Sequence, residues 1–132
     1  NVGYFDALNG TDVNTFRTQL QQIVDAVRIA NAVPVLVTVA PRTDGAISSE
    51  QIQAINEQII DVANVNNLPV LNLWRVLNDL PGSGLGNNGV NLSVAPTGAG
   101  DLSTDATSNY GANAVNEAIL RLLNALRINY LP

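Results

Sequence analysis

Cysteine, histidine, methionine and lysine are all missing from these 132 residues. At average usage of roughly a few per cent each, losing all four together is unusual for a chain of this length. Without cysteine there is no disulfide and no thiolate metal site. Without histidine there is no imidazole to move a proton near neutral pH, so the chain by itself is not expected to work as an acid/base or nucleophilic enzyme. With lysine absent, the six positive charges are the arginines at 17, 28, 42, 75, 121 and 127, scattered among 11 acidic residues for a net charge of −5. No basic patch exists, which excludes nucleic acid as an expected partner. No apolar run approaches the roughly 18–20 residues that span a bilayer.

What remains is 46% hydrophobic and only 13% charged, the profile of one globular unit over residues 1–132. The chain begins at Asn rather than Met and reads as processed, trimmed or continued upstream. Abundant asparagine, no lysine and an acidic balance favour a secreted or cell-surface protein.

Apolar residues at Val13, Phe16, Leu20, Ile23, Val24, Val27 and Ala30 fall at three-and-four spacing, which predicts a helix capped by Thr11 or Asp12. Residues 34–40 follow as a near-continuous β-branched run ended by Pro41, the signature of a strand covered on both faces. A second helix starts at Ser48 or Ser49, turns Ile52, Ile55, Ile59 and Val62 inward, and breaks in the Asn-rich stretch 64–67. Residues 68–74 read as the next strand. Helix alternating with strand implies an α/β fold with a parallel sheet and flanking helices. Residues 80–110 are glycine-rich and loop-like, and a loop of that length is usually functional. A closing helix carries Val115, Ala118, Ile119, Leu122, Leu123 and Leu126 as an inward stripe. Two strands make a small sheet, so further strands are expected upstream or from another chain. Residues 2–7 read as the loop leaving such a strand.

The stretch Gly84-Leu85-Gly86-Asn87-Asn88-Gly89-Val90-Asn91-Leu92-Ser93 resembles the last motif block of the SGNH (GDSL-type) hydrolases, in which Asp, Gly, a hydrophobic residue and His precede a small turn. Residues 34–41 with Arg42 resemble the family's fourth strand and its Pro-Arg turn, and residues 68–74 its fifth strand. Asn1-Val2-Gly3-Tyr4 resembles the end of its Gly-Thr-Asn-Asp block. The resemblance spans essentially the whole chain and implies the C-terminal part of a three-layer α/β domain. It also implies a serine esterase chemistry: a Ser nucleophile, an oxyanion hole of Gly and Asn, and an Asp that orients a His base.

On this alignment Asn88 stands at the Asp position and Asn91 at the His position, while Asn1, a candidate remnant of the oxyanion block, aligns with the block's Asn or with the Asp that follows it. An amide cannot shuttle a proton near neutrality, so as written no residue here is catalytic. The resemblance therefore implies a module that has lost esterase activity and serves assembly or binding of a carbohydrate or ester. The alternative is the C-terminal part of an active serine esterase or acyl hydrolase whose nucleophile lies upstream and whose Asp/His pair is recorded here as Asn88 and Asn91.

Arg42, Gly89 and Trp74 are ligand-binding candidates: Arg42 by its place near the carboxyl edge of the sheet, Gly89 within the motif, and Trp74, with Tyr110, as a pocket lining. Helix capping or pairing with a carboxylate is the simpler role for Arg42, and core or hinge packing the simpler one for Trp74 and Tyr110. Asp44, Asp101 and Asp105 sit in loops that could approach the cleft, but oxygen-rich loops are mostly solvated turns, so no metal and no cofactor is expected. Asn9-Gly10-Thr11 and Asn91-Leu92-Ser93 match the N-glycosylation pattern. The expected partner is another polypeptide segment, or self-association, that completes the sheet.

Overall fold

The structure, a computed structural model, describes residues 2–130, with Tyr130 as backbone only. It is α/β, helix-rich with a small parallel sheet. Its described residues group into two compact units, one running to Ala40 and resuming over Gly45–Asn72, the other joining Pro41–Asp44 to the residues from Leu73 onward.

In the first unit, helix α2 (Val13–Ile29) begins at Asp12, whose carboxylate accepts the backbone N–H groups of Asn14 and Thr15. Such a cap satisfies donors that the first helical turn leaves without partners. Helix α3 (Ser49–Asn66) begins at Ser48 with a reciprocal capping box to Gln51, and it ends at Asn67 in the left-handed region. The two helices pack on each other. Phe16, Leu20 and Val24 of α2 and Ile52, Ile55, Ile59 and Val62 of α3 are buried in this seam and against strand β1 (Leu36–Val37). Each such side chain contributes about 1.5–3 kcal/mol by leaving water. Polar bonds lock the far end of the seam: Arg28 donates to the side chain and carbonyl of Asn66, and Gln21 exchanges bonds with the Asn66 amide. Arg17 pairs with Asp61.

Strand β1 pairs in parallel with β2 (Val70–Leu71), Leu36 opposite Val70. The Leu36 N–H donates to the Pro69 carbonyl (3.0 Å) and the Thr38 N–H to the Leu71 carbonyl (3.1 Å). The expected strands are therefore present and parallel, though each is short.

Three expectations need correction. Residues 4–9 form a helix, α1 (Tyr4–Asn9), packed on α3, rather than a loop leaving a strand. The second strand stops before Leu73, where helix α4 (Leu73–Asn78) begins, so Trp74 is helical. Its apolar run is helical because residues 73, 74, 76 and 77 bury one side of a short helix as readily as a strand, and periodicity alone does not separate the two over so few residues. In the closing helix, α6 (Gly111–Tyr130), Ile119 and Leu123 face outward at 37% and 55% exposure, while Val115, Ala118, Leu122 and Leu126 are half-buried. The stripe is narrower than the count of apolar residues implied.

In the second unit, α4 and α6 pack together, and a 3-10 turn (Pro81–Gly84) packs on both. A short helix, α5 (Thr104–Asn109), capped by Ser103, packs on α6 inside the stretch that the sequence presents as loop.

Candidate functional site

Residues 85–92 form a tight loop closed by an antiparallel bridge between Leu85 and Leu92. The Gly86 N–H donates to the Asn91 carbonyl (2.8 Å), and the Gly89 N–H returns to the Gly86 carbonyl (2.9 Å). At the tip, Asn88 Oδ1 accepts the N–H groups of Val90 (3.1 Å) and Asn91 (2.9 Å). This is an Asx turn, in which a side-chain oxygen takes the place of a backbone acceptor. A carboxylate could accept the same two bonds. The Asn91 side chain is exposed, and its backbone is what the turn uses.

The Pro41–Asp44 segment lies against this loop, since the Thr43 N–H donates to the Gly89 carbonyl (3.0 Å). Gly89 is buried at φ 66°, and an added Cβ would lie 2.5 Å from Thr43 Oγ1. Its place in the motif thus has a steric reason: only glycine tolerates both the left-handed backbone and the close approach. Arg42 is half-buried, and its Nε donates to Asp44 Oδ1 (3.0 Å) with a second guanidinium bond to Oδ2. The guanidinium is held by a carboxylate two residues away, as a pairing arginine is.

The loop is anchored from below by Ser93 and α6. Ser93 donates its hydroxyl to the Gly84 carbonyl (3.1 Å) and accepts the Gly111 N–H (3.0 Å) on the same oxygen. Asn113, fully buried, accepts the Ala95 N–H and donates to the carbonyls of Gly98 and Asp101. Asn116 donates to the Ala99 carbonyl. These asparagines were not picked out from sequence. The available signal was their spacing of three, which puts both on one face of a helix otherwise lined inward by alanine and valine.

The fold therefore brings Arg42, Gly89, Asn88 and Asn91 into one loop cluster of the second unit. Trp74 lies in the same unit on α4, half-buried, and Tyr110 is likewise half-buried. Asn9 lies in the first unit, exposed at the end of α1. Asn1 lies outside the described residues.

The loop aspartates have local partners. Asp44 holds Arg42, and Asp105 Oδ1 accepts from Asn109 inside α5. The Thr97 hydroxyl and the Ser103 backbone N–H hold the Asp101 carboxyl below its ordinary pKa. Among the described residues, no three acidic side chains gather as a metal site. In chemical terms the cluster offers amide donors and acceptors and an arginine paired with a carboxylate.

No family model matches the chain, and no curated protein matches it. A solved structure of a protein described as lipolytic, of the G-D-S-L family, from Desulfitobacterium hafniense DCB-2 superimposes with a TM-score of 0.59 at 23% identity. The match covers 91% of this chain and 61% of that one, so this chain spans less than two-thirds of its neighbour's length. The likeness shows an SGNH/GDSL-like α/β fold.

Proposed function

We propose that the chain is the C-terminal part of a three-layer SGNH-like domain that has lost ester hydrolysis and serves assembly or binding, outside the cell. The observation that carries this reading is the pair of amides at positions 88 and 91. The residues standing for the orienting Asp and the His base are both amides, and the Asn88 oxygen is engaged by two backbone N–H groups of its own loop. Losing members of a catalytic triad lowers the rate by several orders of magnitude, and an amide pair restores none of it.

A partner segment that completes the sheet is part of the same proposal. Leu36 and Thr38 turn their N–H groups to β2, so the intervening Val37 turns its own to the opposite edge. Beside β1 runs an apolar groove of about 500 Å³ lined in part by Val2, Ile23, Val27, Val33, Val35 and Val37. An open edge beside apolar surface is a site for strand addition, by a further segment of polypeptide or by a second copy.

The test uses the full natural protein, treated with a fluorophosphonate that labels activated serines and assayed on p-nitrophenyl butyrate. Neither labelling nor turnover above the blank is expected. Labelling together with turnover would establish instead the reading of an active esterase completed upstream. Saturable binding of an ester or oligosaccharide without turnover would select the binding role over pure assembly. For the partner, sedimentation of these 132 residues decides: a stable, monodisperse monomer defeats the proposal.

Location outside the cell is supported by composition alone, namely abundant asparagine, no lysine and an acidic balance. Recovery of its peptides from washed cells but not from the medium or cell surface would reject it.

A further inference from the structure

The chain contains two Asn-Gly dipeptides, Asn9-Gly10 and Asn88-Gly89. In such a pair the following backbone nitrogen, unshielded by a Cβ, can attack the Asn side-chain carbonyl carbon. The new N–Cγ bond forms, the Cγ–Nδ2 bond breaks, and ammonia leaves with the proton given up by the backbone nitrogen. Water then opens the succinimide at either carbonyl, yielding aspartate or isoaspartate.

The fold treats the two sites differently. At Asn88 the side chain and the attacking nitrogen are both held in place: Oδ1 accepts from Val90 and Asn91, which fixes the amide in the turn, and the Gly89 nitrogen donates to Gly86 at 2.9 Å. Gly89 is also buried, and its carbonyl is held by Thr43. Attack requires the Gly89 nitrogen to leave Gly86 and the Asn88 side chain to leave the Asx turn that fixes it. At Asn9 the side chain is exposed at the end of a six-residue helix, with no hydrogen-bond partner among the described residues. The Gly10 nitrogen makes a long bond to Ala7 (3.3 Å) in a turn closed by the Thr11 N–H on the Asp6 carbonyl (2.9 Å), and nothing lies within 4 Å of where a Gly10 Cβ would stand. A helix end this short opens at little cost.

We infer that Asn9 is a site of spontaneous deamidation in the folded protein, and that the 86–91 loop preserves Asn88 as an amide. The loop thereby keeps a carboxylate from arising at the position where the SGNH pattern has the aspartate that orients its base. Conversion of Asn9 also erases the Asn9-Gly10-Thr11 acceptor pattern, so the site carries either a glycan or an acid, not both.

The test takes the full natural protein made in a host that adds no N-glycans and incubates it in mildly alkaline buffer, once folded and once in concentrated urea. Cleavage after arginine places Asn9 in the peptide ending at Arg17 and Asn88 in the peptide between Arg75 and Arg121. Fragment mass spectrometry reads the conversion of each site over time. In the folded protein Asn9 is expected to convert at least about tenfold faster than Asn88, and in urea the two rates should converge. Equal rates in the folded protein, or faster conversion at Asn88, would overturn the inference. So would a tenfold gap that persists in urea, because the difference would then belong to the local sequence and not to the fold.

Discussion

The Asn56 side chain meets the Val39 backbone as a neighbouring strand would. Its Oδ1 accepts the Val39 N–H at 2.7 Å, and its Nδ2 donates to the Val39 carbonyl at 3.0 Å, all buried. One amide on α3 thus takes over where the ladder between β1 and β2 stops. Asn56→Ala strands both backbone groups away from water and is expected to cost about 2–4 kcal/mol, read from the midpoint of urea unfolding at unchanged slope. A loss below about 0.5 kcal/mol would mean that water reaches Val39 in the native state.

Gly111 opens α6 at a point where an added Cβ would lie 2.0 Å from the Gly84 carbonyl oxygen. In an open helix Gly→Ala stabilises by about 1 kcal/mol. Here the sign should reverse, with Gly111→Ala destabilising by about 1–3 kcal/mol because backbone must move to admit the methyl group. Thermal melts of the variant decide it: a raised Tm would show that α6 does not approach the 81–84 turn so closely.

Asn113 stitches the 95–101 loop to α6 through three backbone groups at once. Asn113→Ala leaves the Ala95 N–H and the Gly98 and Asp101 carbonyls without these bonds, at an expected cost of about 2–4 kcal/mol. Hydrogen exchange at the Ala95 amide should accelerate with it. Unchanged protection there would count against the bond.

Acid should weaken the protein through caps and turns. The Thr15 backbone N–H, then its hydroxyl, lower the Asp12 pKa from 3.8, while the Thr97 hydroxyl and then Ser103 lower that of Asp101 from 3.8. Groups depressed in the folded state stabilise fully above their unfolded value and lose that contribution as pH falls through the folded one. Stability is therefore expected to fall below about pH 3.8, and Asp12→Asn should flatten that fall without removing the cap acceptor. An unchanged slope in the variant would assign the acid sensitivity elsewhere.

Helices α2 and α3 could be read from spacing because a long amphipathic helix repeats its pattern over several turns, and the Ser48 cap declares itself beside Gln51. Helices α1, α4 and α5 could not, since six residues hold too little periodicity to compete with a loop or strand reading. At the candidate site, the residues of the 88–91 motif were legible as types and spacing. What they do there was not: the bonds of Asn88 are local, but Gly89 is buried by Thr43, far back in the chain.

The sequence alone determined the chemistry that is absent: with no histidine, cysteine or lysine, no fold could give these residues an imidazole base or a thiolate. It also determined the two long helices and the apolar runs of the strands, because those signals are carried by neighbours within a few residues. Only the tertiary structure decided which asparagines are structural. Asn56 and Asn113 bond backbone 17 and 18 residues away, and one amide differs from another only by where the chain's return places its partners.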